Sequence, residues 1–413
     1  MNPNTGIQKG QCFEKGPGFA RGLRDLTMHL NSKTITAGIV AAVFGCTGPA
    51  LIVLSAATKG NLTSAQAISW LFAIYFFGGI ISLGLALYYK QPINGAYSIP
   101  GAVMLIGALS TFTINEAVGA YLIAGILVLI LGLSGLVGKL MRWLPLPIVM
   151  AMIAGAMIRF GTGIITSTNK APVIGVAALV GFLVLPRLTK KIPPVLGALV
   201  LGIIAAAFIG GLNLSGVSYK FVAPQIFAPA FNINAFFSIS IPLAALVIGA
   251  ENAQAIGVLM GQGYKPPINI MTIISGIGGI ATSFFGGHNA NIAGPMTAIC
   301  ASEEAGDNKE GRYAATVVNG IIFGAFGLIA SIAVAFVTGL PADLISIVAG
   351  LAMIGVLISA FDEAFSTKKF KTGAFFALII AMSGITILKI SSPFWALLGG
   401  VIVAFLVEPK DFK

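Results

Sequence analysis

Gly286-Gly287-His288-Asn289-Ala290-Asn291-Ile292-Ala293-Gly294-Pro295-Met296 opens polar and glycine-rich, meets a proline and then turns apolar. Asn94-Gly95-Ala96-Tyr97-Ser98-Ile99-Pro100-Gly101-Ala102-Val103 does the same, and Ser98-Ile99-Pro100-Gly101 aligns with Asn291-Ile292-Ala293-Gly294. Proline suits the first turn of a helix, where its missing N–H costs nothing. Each stretch therefore predicts extended backbone followed by a half-helix that starts in the middle of an apolar layer. The alternative is that these glycines and prolines only help helices pack. The matched pair, with polar residues just before each break, favours the first reading.

The layer is a membrane. The 413 residues are 57% hydrophobic and 9% charged, where a soluble domain carries about 25% charged residues. Mean hydropathy is +0.97. Apolar runs predict an all-α polytopic membrane protein with 14 transmembrane segments. The first seven run at about 34–57, 63–89, 95–112, 116–138, 145–165, 171–187 and 192–212. A loop at 213–233 follows, then 235–260, 266–285, 287–302, 312–337, 341–361, 372–388 and 391–408. Seven is odd, so the second set enters from the opposite side, giving a 7+7 inverted repeat, a plan used by secondary transporters. The two broken stretches are segments 3 and 10, which hold the same place in each repeat. The openings of the repeats correspond as well, Gly45-Cys46-Thr47-Gly48-Pro49 with Gly249-Ala250-Glu251-Asn252-Ala253.

The net charge of +11 does not point to nucleic acid, because the basic residues sit between apolar runs at one side. With the N-terminus inside, nineteen of the 24 Lys and Arg are cytoplasmic, whereas Lys59, Lys170, Lys220 and Lys389 are outside and Arg159 lies within a span. That predicts a multi-pass protein of a bacterial-type cytoplasmic (inner) membrane with both termini cytoplasmic. The first 33 residues hold no apolar stretch of signal-peptide type, so insertion is expected to begin with the first span. Cys12, Cys46 and Cys300 offer no disulfide framework. No nucleophile–base set, phosphate loop or metal-ligand spacing is present, so no enzyme, cofactor or metal is expected.

Thr47-Gly48-Pro49-Ala50, Ser69-Trp70, Tyr97-Ser98-Ile99-Pro100-Gly101-Ala102 and the run Phe285 to Ala301 resemble the benzoate–proton symporter (BenE) family, a likeness that covers about 34–408. That family is similar in fold to the nucleobase–ascorbate transporters such as uracil permease. The resemblance implies a core domain of segments 1–4 and 8–11 (34–138 and 235–337) and a gate domain of segments 5–7 and 12–14. The gate halves, with their flanking loops, cover 139–234 and 338–413, after a cytoplasmic tail at 1–33. It also implies a homodimer through the gate domain, and a substrate between the two half-helices. The chain departs from the family at Glu251-Asn252-Ala253-Gln254, where a Gln-Asn pair and then a proline are usual, and at Asn289 and Gly294-Pro295. An acid in segment eight resembles the nucleobase transporters instead.

Of thirteen acids, only Glu251 lies deep in an apolar run, Ile241 to Met260. An ionised side chain at the bilayer centre costs at least roughly 2.5–3.5 kcal/mol, so the position reads as functional, suited to proton coupling. Gln254 shares a regular helix face with Glu251 and is a candidate substrate contact. Asn252 points aside, toward substrate or across a helix interface. His288 is either a second proton-coupling group or a hydrogen-bonded strut. Each half-helix start presents free N–H groups and about half a positive charge, with Ile99, Gly101, Ile292 and Ala293 as candidate donors. Tyr97 offers a ring or a hydroxyl. Ser98, Asn289 and Asn291 offer polar groups, and Thr47 completes the expected substrate site. Arg159 either snorkels to the interface or faces an anionic substrate.

These residues predict a proton-coupled symporter importing a small planar substrate. A nucleobase, in particular a purine, is preferred, because the amides of Gln254, Asn289 and Asn291 match its polar rim. Benzoate or another aromatic carboxylate is the alternative, since an ionised Glu251 would repel an anion. An anion channel is the second alternative. The expected partners are the substrate, protons and the lipid bilayer, with no nucleic acid.

Overall fold

The computed structural model describes residues 14–136, 145–188, 194–212, 221–388 and 390–412. Cys12, Lys9, Lys139, Arg142, Lys190, Lys191, Lys220, Lys389, Lys413 and the first part of the 213–233 loop lie outside them. The expected tail contains a helix, α1 (Phe19–His29). It is amphipathic and packs on the end of α4 (Ser64–Tyr89), where Asp25 receives Lys90 Nζ at 2.8 Å and Arg24 Nε at 3.0 Å. Hydrogen bonds from the Lys90 ammonium, and then from the Arg24 guanidinium, hold the Asp25 carboxyl below its usual range.

The first apolar run breaks at Thr47 into α2 (Ser32–Cys46) and α3 (Gly48–Lys59), with Pro49 in the opening turn of α3. After α4 come β1 (Gly95–Ala96), α5 (Ile99–Ala108) and α6 (Ile114–Ser134). Capping boxes start three of these helices, Asn31 with Thr34, Thr63 with Gln66 and Thr113 with Glu116, each satisfying N–H groups that a helix start leaves open. Then follow α7 (Leu146–Lys170), α8 (Pro172–Leu183), α9 (Leu185–Leu188) and α10 (Pro194–Phe208).

The second half opens with one long helical span, α11 (Ile233–Gly261). It is not a regular α-helix, because Phe236–Ser240 and Val247–Asn252 are π-helical. Glu251 lies in the second π-turn and Gln254 just beyond it, and both side chains reach Gly294, as expected of residues that share a face. Next come α12 (Ile268–Ser283), β2 (Asn291–Ile292), α13 (Gly294–Ala301), α14 (Tyr313–Leu328) and α15 (Ala330–Thr338). α14 and α15 belong to one expected segment but are bent by 68° at Ile329. α16 (Ala342–Phe365) and α17 (Lys371–Ser383) follow. The expected segment 372–388 ends early, because a hairpin of β3 (Thr386–Ile387) and β4 (Ile390–Ser391) precedes α18 (Ser392–Val407).

Among the described residues, six helices are long and apolar enough to cross a membrane, or seven if the bent pair is one span. Their packing falls into two sets. α14 lies on α2 and α4, and α12 on α6, while α16 and α17 lie on α7, and α10 on α8. Close approach in the first set depends on small residues. A Cβ at Gly79 of α4 would stand 2.6 Å from the Gly320 carbonyl oxygen of α14. Within this set the two short strands pair antiparallel, Gly95 with Ile292 and Ala96 with Asn291. That pairing brings the starts of α5 and α13 together.

Candidate functional site

Asn94 holds the strand pair from behind. Its Nδ2 donates to the Met296 carbonyl (3.2 Å) and Thr316 Oγ1 (3.0 Å), and its Oδ1 accepts from Asn319 Nδ2 (2.8 Å). Its carbonyl accepts from Ala293 N–H (2.8 Å). In front, Trp70 Nε1 donates to His288 Nδ1 (3.0 Å). His288 Nδ1 therefore carries no proton, and Nε2–H donates to the Ser98 carbonyl (2.9 Å). Trp70, His288 and Ser98 are fully buried. Both imidazole nitrogens are thus engaged, and the geometry makes His288 a strut between α4 and the start of α5.

A small cavity lies where α5 and α13 begin. It is lined by Phe44, Gly45, Pro49, Ala96, Tyr97, Ile99, Glu251, Ala293, Pro295, Met296 and Phe323, and its volume is about 10 Å³. That is room for about one water molecule. Glu251, 5% exposed, reaches into it from the π-helical turn of α11. Its carboxyl faces the backbone N–H groups of Gly294 and Ile99 and the Ser98 side chain. Ile99 and Gly294 are the first residues of the two half-helices, so one carboxyl addresses both starts.

Tyr97, Ile99, Glu251 and Ala293 of the expected site meet at this cavity. Tyr97 offers its ring and an acceptor oxygen but no proton: Tyr75 donates its hydroxyl proton to the Gly45 carbonyl (2.7 Å), so the Tyr97 hydroxyl is the donor in their 2.9 Å contact. Several expected donors are already engaged. Gly101 N–H is capped by Ser98 Oγ (3.1 Å), Ile292 N–H donates to Ser275 Oγ (3.2 Å), and Ala293 N–H bonds Asn94. Thr47 is also corrected, because its hydroxyl bonds the Val43 carbonyl within α2 (2.8 Å) and the residue does not line the cavity. Gln254 packs against Gly294 outside the cavity. Asn252 turns across to α12, accepting from Ser275 Oγ (3.0 Å). Asn289 Oδ1 accepts from Ser98 N–H (3.0 Å), while its Nδ2 and both amide atoms of Asn291 are buried without a partner among the described residues.

Phe44, Phe323 and the N–H of Gly294 were not anticipated. Gly294-Pro295 carried the needed signal, since the residue before the proline is the first of its helix. Phe44 and Phe323 belong to apolar runs that nothing in the sequence singles out.

Paired half-helices and a buried acid in a mostly helical polytopic chain define a membrane transporter. Residues 28–406 match the family described as benzoate membrane transport protein, and the chain belongs to this BenE family. It is 31% identical to the inner membrane protein YdcO of Escherichia coli (strain K12) over 89% of this chain and 94% of that one. It is 27% identical to the benzoate membrane transport protein of Acinetobacter baylyi over 94% and 98% of the two chains. The fold resembles the transmembrane domain of the cyanobacterial bicarbonate transporter BicA, with a TM-score of 0.63, 17% identity and coverage of 95% and 100%. It also resembles SLC26A9, with a TM-score of 0.60, 14% identity and coverage of 91% and 65%. These fold relatives are BicA and SLC26-type transporters, not the nucleobase–ascorbate transporters in particular.

Proposed function

We propose that this chain is a proton-coupled symporter of the inner membrane that imports an aromatic carboxylate of the benzoate class. The observation that carries the proposal is the Glu251 carboxyl lying against the N–H groups of both half-helices, beside Phe44, Tyr97 and Phe323. The two helix starts together supply about one positive charge, which one carboxylate neutralises. A second carboxylate in that dry site would stand unbalanced. The cargo anion therefore enters when Glu251 takes up a proton and yields the N–H groups. When the proton leaves on the inner side, the Glu251 carboxylate returns and expels the cargo. The family match and the named Acinetobacter relative support the benzoate class. So does the lining, because the amides that favoured a purine do not face the cavity.

The 10 Å³ volume means that the site widens to load cargo. Movement of a core domain (segments 1–4 and 8–11) against a gate domain (5–7 and 12–14), within a 7+7 inverted repeat, would widen it. Both termini are then cytoplasmic. A nucleobase is the second reading, favoured by the unpartnered amide atoms of Asn289 and Asn291.

Uptake of labelled benzoate and hypoxanthine into proteoliposomes tests the proposal. Benzoate should accumulate under an inward proton gradient, and Glu251→Gln should lose that accumulation while retaining benzoate exchange. Gradient-driven benzoate accumulation by Glu251→Gln refutes the coupling. Hypoxanthine uptake without benzoate uptake replaces the cargo, and a benzoate conductance uncoupled from protons indicates a channel.

A further inference from the structure

We infer that the large crevice between the two helix sets is an anion-capture vestibule, in which Arg159 and Lys59 hold a carboxylate before it reaches the Glu251 site. The inference rests on the aromatic-carboxylate reading only for the identity of the cargo. The crevice has a volume of about 1030 Å³, with walls from α3, α4, α7, α15 and α16. Among the described residues its only charged lining groups are Lys59 and Arg159, and no acid lines it. Low-dielectric walls carrying one sign of charge focus the field and concentrate the opposite ion.

Arg159 also lines a second cavity of about 200 Å³ between α5, α7 and the β3–β4 hairpin. A Cβ on Gly384 would lie 3.8 Å from its Nη2. Among the described residues no carboxylate lies within 4.0 Å of its guanidinium, and no hydrogen bond engages it. Arg159 is exposed and borders both cavities. The hydroxyls of Ser55, Thr58 and Ser346 donate to carbonyls of their own helices, which leaves the two cations as the groups for a carboxylate, beside the apolar Leu54, Ile106 and Phe160. That mixture suits a carboxylate carried on an aromatic ring.

The vestibule and the inner cavity are lined by the same two helices. On α3, Pro49 lines the inner cavity and Leu54 the vestibule, about 8 Å apart at 1.5 Å per residue. On α5, Ile99 and Ile106 do the same, about 10 Å apart. Buried residues such as Leu51 and Val103 separate the two, so cargo would pass Arg159 first and reach Glu251 only when the inner site widens.

The test has an arm that needs no transport. Thr166, about two turns beyond Arg159 and also in the crevice wall, is replaced by cysteine in a chain whose Cys12, Cys46 and Cys300 are alanine. The protein is then treated with anionic, neutral or cationic methanethiosulfonates. The anionic reagent should react fastest. Adding Arg159→Gln should slow it about tenfold and leave the neutral reagent unchanged, while Arg159→Lys should retain the fast rate. In proteoliposomes, Arg159→Gln should raise KM for benzoate with kcat unchanged, an effect that shrinks in high salt. Equal anionic rates with and without the Arg159→Gln substitution overturn the vestibule. If the wild-type protein transports no benzoate yet the charge-dependent rates persist, the vestibule stands and the cargo assignment falls.

Discussion

Replacing Trp70 by phenylalanine tests the frame that positions the half-helices. The indole N–H donates to His288 Nδ1 at 3.0 Å, and His288 Nε2 in turn donates to the Ser98 carbonyl at 2.9 Å. All three residues are fully buried. Trp70→Phe leaves Nδ1 a bare acceptor, at a cost of about 1–3 kcal/mol. The lost ring volume adds about 1 kcal/mol, so the variant should unfold about 2–4 kcal/mol more easily, read from its denaturant midpoint. It should also release the imidazole proton to either nitrogen, and the Nδ1–H form gives up Ser98. The chain has two histidines, so in a His29→Gln background ¹⁵N spectra report His288 alone. One Nε2–H tautomer is expected with Trp70, and a mixture without it. An Nδ1–H tautomer in the parent, or a Trp70→Phe protein with unchanged stability and a single tautomer, refutes the strut.

A Cβ at Gly294 would stand 2.8 Å from Gln254 Cβ and closer still to its amide oxygen. Gly294→Ala should therefore push α13 off α11 at a cost of about 1–3 kcal/mol and reduce benzoate uptake, and Gln254→Ala added to it should restore part; an undiminished single variant contradicts the packing. The docking of α1 should depend on acid pH. Lys90 and Arg24 lower the pKa of Asp25 in the folded protein, so its contribution is complete above the unfolded value of about 4 and lost as pH falls through the lower folded value. Protection of the α1 amides, measured against their intrinsic exchange rates, should stay high from neutral pH to about 5 and fall below 4, and Lys90→Met should lower it at neutral pH; unchanged protection in that variant removes the ion pair from the docking.

The two half-helices were legible because proline marks a helix start in any surroundings, and Pro100 and Pro295 sit where those starts occur. Glu251 was legible as a lone acid in an apolar run. Its actual direction was not, since hydropathy does not distinguish the π-turn at Val247–Asn252 from an ordinary one. Nor does local sequence say which N–H groups at the break stay open. Ile292 and Ala293 look as available as Gly294 until Ser275 and Asn94 arrive from elsewhere in the chain. The β3–β4 hairpin was hidden for a similar reason: Ile385, Ile387, Leu388 and Ile390 continue an apolar run, although Ser391 is tied to Ser238 on α11.

Ser98 shields the first turn of α5 with its own hydroxyl, whereas Ala293 has nothing to offer α13. The midpoint of the protein is therefore lopsided. The start of α5 carries a cap of its own, whereas the start of α13 depends on the Glu251 carboxyl brought by α11. Two stretches built on the same backbone plan thus end differently, one closed by a neighbour in its own loop and the other completed only from across the fold.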